Sequence, residues 1–189
     1  QLQQYMKYLQ HATIDSLTLT YPEETPIEEQ KSFTLVDSIK FNYPGSWLLA
    51  DPDFRDMNRL VVQLKNNSQS GSLQGFTRVM AVRRNRNTNL QTELDNLKKY
   101  FQEVMKISFL KLESSGKSPA YDRFMFNRYE VYEVKNTQRG ESVQQLHLAV
   151  LGDKEWYIIM YLLTPRKDDN LYTWARNVAS FEVMLETIK

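Results

Sequence analysis

The sequence predicts an α+β fold in which an antiparallel sheet is flanked by helices. Segments that alternate apolar and polar residues, as half-buried strands do, occupy much of the chain. Other segments repeat apolar residues at the spacing of an amphipathic helix. The order of these segments is helix, strands, helix, three strands and helix, which differs from the strict alternation of strand and helix that produces a parallel sheet.

Two segments near the N-terminus share one pattern. IDSLTLTYPEE, which begins at Ile14, and VDSIKFNYPGSW, which begins at Val36, both alternate and then break at Tyr-Pro. Proline removes a backbone donor, so the repeated pattern indicates two strands that end alike rather than a chemical motif. We assign the first strand, a short helix over residues 1–12 and the acidic connector PEETPIEEQ to an N-terminal extension of residues 1–32. Residues 33–189 then form a single α+β domain.

The middle of the chain predicts a hairpin and a helix. Residues 58–66 and 75–85 alternate as strands, and the polar, glycine-containing stretch between them predicts a long loop. Residues 90–105 carry one apolar stripe. Because Thr88 and Gln91 have the spacing of a capping box, we expect this helix to be capped by Thr88.

The second half of the chain predicts a three-stranded meander. After a short strand and a turn within residues 106–119, strands are expected over residues 121–136, 141–152 and 154–165, separated by short turns. The third of these, KEWYIIMYLLTP, is apolar on both faces, which is typical of a central strand that is covered on both sides.

A closing helix follows the meander. Apolar residues recur at helical spacing from Leu171 to Ile188. Asp168 and Asp169 predict the N-cap, and we expect a break in the helix near Ser180.

Three of these segments resemble the PsbP-like superfamily. They are the early strand IKFNYPGSW, the hairpin LHLAVLGDKEWYIIMYLL and the closing helix LYTWARNVASFEV. The superfamily includes the extrinsic PsbP protein of photosystem II, a nuclear-import factor that binds the GTPase Ran, and bacterial DcrB-type proteins. The resemblance covers residues 33–189, and it implies an antiparallel sheet flanked by helices and a role in binding or assembly rather than catalysis.

The charge balance argues against nucleic acid as a partner. The 189 residues include 24 basic and 23 acidic side chains, which leaves a net charge of +1. Such a balance creates no overall field that would attract nucleic acid or anionic lipid. The arginines are also not interleaved with aromatic residues, as stacking platforms for bases would require.

Composition also bears on compartment. The absence of cysteine excludes disulfides, thiol catalysis and cysteine zinc sites. Because no apolar run reaches about 18 residues, we expect no transmembrane segment. The chain begins at Gln1 rather than Met, which favours a processed, exported protein of the periplasm or thylakoid lumen, with a membrane tether as an option; a cytoplasmic location stays open.

No group of residues has the spacing of a catalytic, cofactor or metal site. His11 and His147 have no second ligand at the spacing of a zinc motif, so we interpret both as structural or surface residues. Neither a nucleophile elbow nor a glycine-rich phosphate loop occurs. The stretch DPDFRD places Asp51, Asp53 and Asp56 together, but it lacks the Gly and Glu of a calcium loop and suits a plain turn. We therefore predict no catalytic residue, no cofactor and no metal, and hence no enzyme.

Arginine and tyrosine side chains of the predicted sheet are the candidates for contact with a partner. On a strand, Arg78 and Arg84 share one face while Arg83 points to the other. Guanidinium groups suit acidic partners, and exposed aromatic residues anchor protein interfaces. The plain alternative is a solvated strand end for the arginines and a packed core for the aromatic residues. The candidate partner-binding residues are Arg78, Arg83, Arg84, Arg86, Arg123, Arg128, Tyr129 and Tyr132.

These features predict a non-enzymatic protein-binding or assembly module that is an accessory part of a larger complex. The expected partner is another protein, with a membrane-associated complex among the options. The alternative is a small-molecule or lipid-binding domain, which would need a mostly apolar pocket between the sheet and the helices.

Overall fold

A computed structural model of the chain describes residues 29–36, 39–68, 71, 73–120, 122–138 and 140–189, with only the backbone of residues 51–56. The helix expected over residues 1–12 and the first of the two similar strands lie outside these residues. In the described chain the strands are β1 (Gln30–Val36), β2 (Ile39–Pro44), β3 (Leu48–Asp56), β4 (Arg59–Asn67), β5 (Leu73–Arg83), β6 (Ile107–Gly116), β7 (Phe126–Asn136), β8 (Ser142–Gly152) and β9 (Trp156–Pro165). The helices are α1 (Leu90–Glu103) and α2 (Leu171–Thr187).

The described elements form three layers. A seven-stranded antiparallel sheet in the order β3-β4-β5-β9-β8-β7-β6 is the middle layer. Helix α1 packs on one face of this sheet, and α2 packs on the other face together with the two-stranded sheet of β1 and β2. Two apolar cores therefore lie on opposite sides of one sheet, and the predicted α+β architecture is confirmed.

Strand β9 lies at the centre of the sheet. Ile158, Met160 and Leu162 point into the core beneath α2, and Ile159 and Tyr161 point into the core beneath α1. All five are at most 1% exposed. The unbroken apolar run of this segment is thus explained by burial on both faces, as predicted.

Strand β2 places its apolar residues as the alternation predicts. Ile39, Phe41 and Tyr43 are buried in the core shared with α2. Its partner β1 is antiparallel to it. Strand β1 spans the boundary between residues 32 and 33, where we divided the N-terminal extension from the domain. That division stays a prediction. Lys40 and Lys189 exchange two backbone hydrogen bonds of 2.9 and 3.0 Å, which connect the residues after α2 to this hairpin.

The turn expected in DPDFRD is wrong, because these residues belong to β3. This strand pairs with β4 at the edge of the sheet, and its register shifts between Ala50 and Asp53 and again between Asp53 and Asp56. Proline cannot donate to a strand ladder and is therefore confined to edge strands and bulges. An irregular edge strand meets that condition, so Pro52 does not end it.

The first helix is capped by a residue other than the expected Thr88. The side chain of Asn89 accepts hydrogen bonds from the backbone N–H groups of Gln91 and Thr92, at 2.9 and 3.2 Å. The hydroxyl of Thr88 instead donates to the backbone carbonyl of Arg83 at 2.8 Å. The predicted capping box is therefore wrong, although the start of the helix is close to the expected place.

We expect Asn89→Ala to lower the free energy of unfolding by about 1 kcal/mol, because two backbone donors lose their acceptor. Urea denaturation followed by circular dichroism measures this change. Thr88→Ala is the matched control. A larger loss for Thr88→Ala than for Asn89→Ala would restore Thr88 as the cap.

The cap predicted for the second helix is also wrong. Asn170 accepts a hydrogen bond from the backbone N–H of Thr173 at 3.0 Å and is the N-cap of α2. Asp169 accepts from the guanidinium of Arg166 at 2.8 Å, and this contact lowers the pKa of the Asp169 carboxyl. The ion pair thus fixes the turn before the helix.

The break expected near Ser180 does not occur. Helix α2 continues from Leu171 to Thr187, and the Ser180 hydroxyl donates to the backbone carbonyl of Arg176, four residues earlier, at 2.7 Å. Phe181, which follows, is fully buried. The apolar stripe therefore continues through this point.

Strand β6, which forms the edge of the sheet opposite β3, is longer than expected. Strand β6 has 10 residues, rather than the short strand and turn predicted, and most of them are exposed. Its pairing with β7 shifts twice, between Phe109 and Lys111 and between Leu112 and Ser114. Strand β7 begins at Phe126, later than the predicted start at residue 121. Bulges of this kind protect an exposed edge against pairing with other chains.

A buried asparagine connects α2 to three strands. The Asn177 side chain accepts from the Asn66 amide of β4 at 2.8 Å, and donates to the Gln74 carbonyl of β5 at 2.9 Å and the Thr164 hydroxyl of β9 at 3.0 Å. Asn177 is 0% exposed, and a Cβ placed on Gly75 would lie 2.6 Å from its amide nitrogen. Glycine at this position therefore makes room for the asparagine.

Candidate functional site

The candidate site is a cleft between α1 and β7, which we name the α1–β7 cleft. Its volume is about 110 Å³. Side chains from four elements line it, so residues that are distant in sequence meet there. They are Gln91, Leu94, Leu97, Lys98 and Phe101 of α1, Phe109 of β6, Arg128, Glu130 and Tyr132 of β7, and Leu148 of β8.

The floor of the cleft is apolar and its outer wall is aromatic. Leu94, Leu97 and Leu148 are buried in the core beneath α1. The rings of Phe109 and Tyr132 meet edge to face, with centroids 5.1 Å apart. Transfer of an apolar side chain from water to a space with such walls is favourable in free energy.

The rim of the cleft is a charged row on one face of β7. Glu130 accepts a hydrogen bond from the Tyr132 hydroxyl at 2.7 Å, and its other carboxylate oxygen lies 3.6 Å from the Arg128 Nε. Burial and the hydrogen bond to Glu130 raise the pKa of Tyr132 to about 12. The tyrosine therefore stays protonated at neutral pH and remains a donor to Glu130.

The surface beside the cleft carries exposed apolar side chains. Leu112, which pairs with Tyr132, is 48% exposed, and Phe126 at the start of β7 is 39% exposed. Leu110, at the bulge in β6, is 51% exposed. An apolar pocket with a charged rim and exposed apolar neighbours has the composition of a protein-binding surface.

Two of the predicted partner-binding residues, Arg128 and Tyr132, meet at this cleft. Residues from α1, β6 and β8 complete it, and no pattern in the sequence indicates them because their contact depends on how the layers pack. Lys98 comes directly after Leu97 of the apolar stripe, and the sequence alone suggests an ordinary solvent-exposed lysine. The assignment of the eight residues to partner binding stays a prediction.

Three of the predicted arginines lie against aromatic rings of their own chain. The guanidinium carbons of Arg78, Arg83 and Arg84 lie 4.8, 5.1 and 4.6 Å from ring centroids. The rings, in the same order, belong to Tyr100, Trp156 and Tyr157. Such contacts each stabilise a fold by roughly 0.5–1 kcal/mol at exposed sites. These arginines therefore have structural contacts away from the cleft, and Arg86 lies in the exposed turn that precedes α1.

Arg123 and Tyr129 lie on the α2 side of the sheet. Arg123 donates to the backbone carbonyl of Leu185 near the end of α2, at 2.7 Å. Tyr129 packs near Phe181 of α2, with ring centroids 6.4 Å apart, and burial raises the pKa of its hydroxyl. The predicted residues are therefore divided between the two faces of the sheet.

His147 belongs to a hydrogen-bonded chain beneath α2. Its Nε2 lies 2.7 Å from the Gln145 Oε1, which also accepts from the Trp174 indole at 2.6 Å, so Nε2 carries the proton. The Nδ1 atom then accepts from the Tyr129 hydroxyl at 2.6 Å. Burial lowers the pKa of His147 to about 4. The histidine is thus a neutral structural residue, and the side chains that hydrogen-bond to it are polar and uncharged.

A second cavity of about 380 Å³ lies between β2, Arg123 and the end of α2. Most of its lining is polar or charged, from Ser32, Lys40, Asn42 and Glu186 among others. Because its lining is mostly polar, it differs from the apolar pocket that the small-molecule or lipid alternative predicts.

The described residues contain no group of three or more histidine, cysteine or acidic side chains that could hold a metal ion. Among the same residues, no helix is both long and apolar enough to cross a membrane.

Comparison with solved structures places this architecture among known proteins. The Ran-binding protein Mog1p of Saccharomyces cerevisiae superposes with a TM-score of 0.54 at 10% identity, covering 86% of this chain and 95% of Mog1p. A point mutant of Mog1 gives a TM-score of 0.52 at 11% identity, covering 85% and 95%. This is the PsbP-like fold. The predicted PsbP-like fold is therefore confirmed.

A further match to the PsbP-like fold is the cyanobacterial PsbP (CyanoP) of Synechocystis sp. PCC 6803, with a TM-score of 0.49 at 14% identity, covering 82% of this chain and 93% of CyanoP. No protein-family model matches the sequence, and no curated protein does so. At these identities the two Mog1 matches show the fold alone.

Proposed function

We propose that this chain is a non-enzymatic protein-binding module, an accessory subunit of a larger complex, and that its partner docks at the α1–β7 cleft. The observation that carries this proposal is the cleft itself. A small apolar pocket, walled by Phe109 and Tyr132 and bordered by Arg128, resembles the centre of a protein interface, where a few aromatic and arginine side chains contribute most of the binding free energy.

The size of the cleft favours a protein over a small ligand. Pockets for small molecules measure roughly 300–1,000 Å³ and are mostly apolar. The α1–β7 cleft, at about 110 Å³, is smaller than that range. The larger cavity beside Arg123 has the volume but a polar lining. Neither cavity combines the volume with the apolar lining of a small-molecule site, so a small-molecule or lipid-binding domain is the second proposal, behind protein binding.

The fold supports a binding role by analogy. Mog1p, which shares the PsbP-like fold, is described as a Ran-binding protein, so this architecture binds a protein in that case. A shared fold does not identify the binding partner, because proteins with unrelated functions can have the same fold. The partner of this chain is therefore to be identified by experiment.

The first experiment blocks the cleft. Gln91 is exposed on α1 at the mouth of the cleft, so Gln91→Trp places an indole ring over it without disturbing the core. Asn96→Trp, at an exposed position of the same helix that does not line the cleft, is the matched control. We expect a protein captured from native extract by the wild-type chain and by Asn96→Trp to be lost, at least tenfold, with Gln91→Trp.

Quantitative mass spectrometry of the captured proteins measures this loss. Equal capture by Gln91→Trp and the wild type would remove the cleft from the proposal. Thermal unfolding of both variants shows whether each remains folded.

Export to the periplasm or thylakoid lumen and a role in assembly remain predictions of the proposal. Fractionation of the source cells, followed by detection of this chain in each fraction, tests the first. Co-migration with a membrane-associated complex on native gels tests the second.

A further inference from the structure

We infer that the partner segment seated in the α1–β7 cleft is acidic and inserts one aliphatic side chain between flanking carboxylates. This inference rests on the proposed function and specifies the kind of partner. Three features of the cleft support this inference. They are the exposure of its charged side chains, the contacts that already engage Glu130, and the volume of the cleft.

The two cations that line the cleft, Arg128 of the rim and Lys98 of α1, are more exposed than the carboxylate of the rim. The Arg128 side chain is 38% exposed, and the Glu130 side chain is 14% exposed. Lys98 is exposed on α1 and makes no ion pair with any residue that the structure describes. The exposed carboxylate of Asp95 lies next to the cleft and accepts a hydrogen bond from the Gln91 side chain at 2.9 Å. With Glu130 facing Arg128 and Asp95 bonded to Gln91, Lys98 and the exposed part of Arg128 are the lining groups that attract a partner's carboxylates.

The acidic group of the rim is already engaged. One Glu130 oxygen accepts from the Tyr132 hydroxyl, and the other faces Arg128. The Arg128 Nε is buried and has no hydrogen-bond acceptor among the described residues. Because this Nε atom is buried and faces Glu130, a partner's carboxylate would meet the exposed remainder of the Arg128 guanidinium and form a charge-assisted hydrogen bond there.

The volume of the cleft limits the apolar part of the partner segment. A cavity of about 150 Å³ accommodates a benzene molecule. The α1–β7 cleft measures about 110 Å³, which suits an aliphatic side chain of the size of leucine better than an aromatic ring. The buried floor of Leu94, Leu97 and Leu148 supplies the apolar contacts.

The test uses three fluorescein-labelled peptides of equal length. The first has the sequence Asp-Glu-Leu-Glu-Asp, the second replaces the central leucine with glycine, and the third replaces the acidic residues with lysine. Fluorescence polarisation measures binding of each peptide to the wild-type chain, to Lys98→Glu and to Lys99→Glu. Lys99 is exposed on the same helix and does not line the cleft, so Lys99→Glu is the matched control for charge.

We expect the wild type to bind the acidic leucine peptide more tightly than either altered peptide. Exposed ion pairs contribute about 0.2–1 kcal/mol each, so replacing attraction by repulsion in Lys98→Glu should weaken binding about three- to tenfold. Lys99→Glu should change it less than twofold, since solvent and salt screen a charge outside the cleft. Gln91→Trp should abolish the binding.

The outcomes separate this inference from the proposed function. If Gln91→Trp loses its captured partner but the acidic peptide binds no better than the lysine peptide, the inference is wrong and the protein-binding function stands. If the acidic peptide binds equally to Gln91→Trp and the wild type, the peptide binds elsewhere and the inference is also wrong. If Gln91→Trp retains every partner, the proposed function itself fails.

Discussion

Asn177→Ala is expected to lower the free energy of unfolding by about 3 kcal/mol, because it leaves several buried polar groups without partners. Asn66 is 4% exposed and Thr164 is 0% exposed, and both lose their hydrogen bond to the Asn177 side chain together with the Gln74 carbonyl. Each such group costs roughly 1–3 kcal/mol when it stays buried and unpaired. Urea denaturation at neutral pH measures the loss.

The control for Asn177→Ala lies on the same helix. Ser180→Ala removes one hydrogen bond within α2, to the Arg176 carbonyl, and we expect a cost below about 1 kcal/mol. Equal stability of Asn177→Ala and the wild type would show that the asparagine does not connect the layers.

A double-mutant cycle with Gly75 tests the same contact from the strand side. A Cβ at Gly75 would lie within 2.8 Å of three atoms of the Asn177 amide, so Gly75→Ala alone should force that side chain out of its place. In the Asn177→Ala background the obstruction is gone, and Gly75→Ala should cost at least 1 kcal/mol less than in the wild type. Additive costs would contradict the predicted coupling.

Acidification is expected to destabilise the protein through His147. Burial lowers the pKa of this histidine from 6.5 to about 4 in the folded chain. Between these two values the unfolded chain binds the proton and the folded chain does not, so stability is full above about pH 6.5 and falls as the pH approaches 4. This pKa shift lowers the free energy of unfolding by at most about 3 kcal/mol, since a shift of one pKa unit corresponds to about 1.4 kcal/mol.

The measurement must isolate this histidine from the carboxylates that titrate in the same range. Glu182 lies near Tyr129, and burial raises the pKa of its carboxyl. We therefore compare the pH dependence of unfolding in the wild type with that in His147→Gln, which cannot titrate. The difference between the two curves should grow from pH 7 to pH 4.

Nuclear magnetic resonance gives an independent check on the same residue. The chain has two histidines, so His11→Gln leaves one imidazole to follow. We expect a proton on Nε2 and a titration midpoint near pH 4. A midpoint near the ordinary value of about 6.5 would contradict the buried, neutral histidine.

Periodicity in the sequence was enough to predict the architecture. The unbroken apolar run of β9 predicted its central place, and the stripe from Leu94 to Phe101 predicted α1, because burial on one or both faces dictates which positions are apolar. The same reasoning failed for Pro52, since proline ends a central strand but is tolerated at an irregular edge.

Local chemistry was less decisive than periodicity. Thr88 and Asn89 are both favourable N-cap residues, and so are Asp169 and Asn170. Their N-cap preferences are too similar for the sequence to decide which of two neighbours caps the helix. In each pair, the residue that does not cap the helix makes another contact. The Thr88 hydroxyl donates to the Arg83 carbonyl, and the Asp169 carboxylate accepts from Arg166.

The sequence by itself determined the layered α+β fold and the types of side chain available for binding. Only the tertiary structure decided that Arg128 and Tyr132 share a cleft with Lys98 and Phe109, while Arg123 and Tyr129 lie across the sheet. The physical reason is that periodicity records which face of each element is buried, but not which elements lie side by side. That arrangement depends on strand order and helix packing, which bring distant residues together.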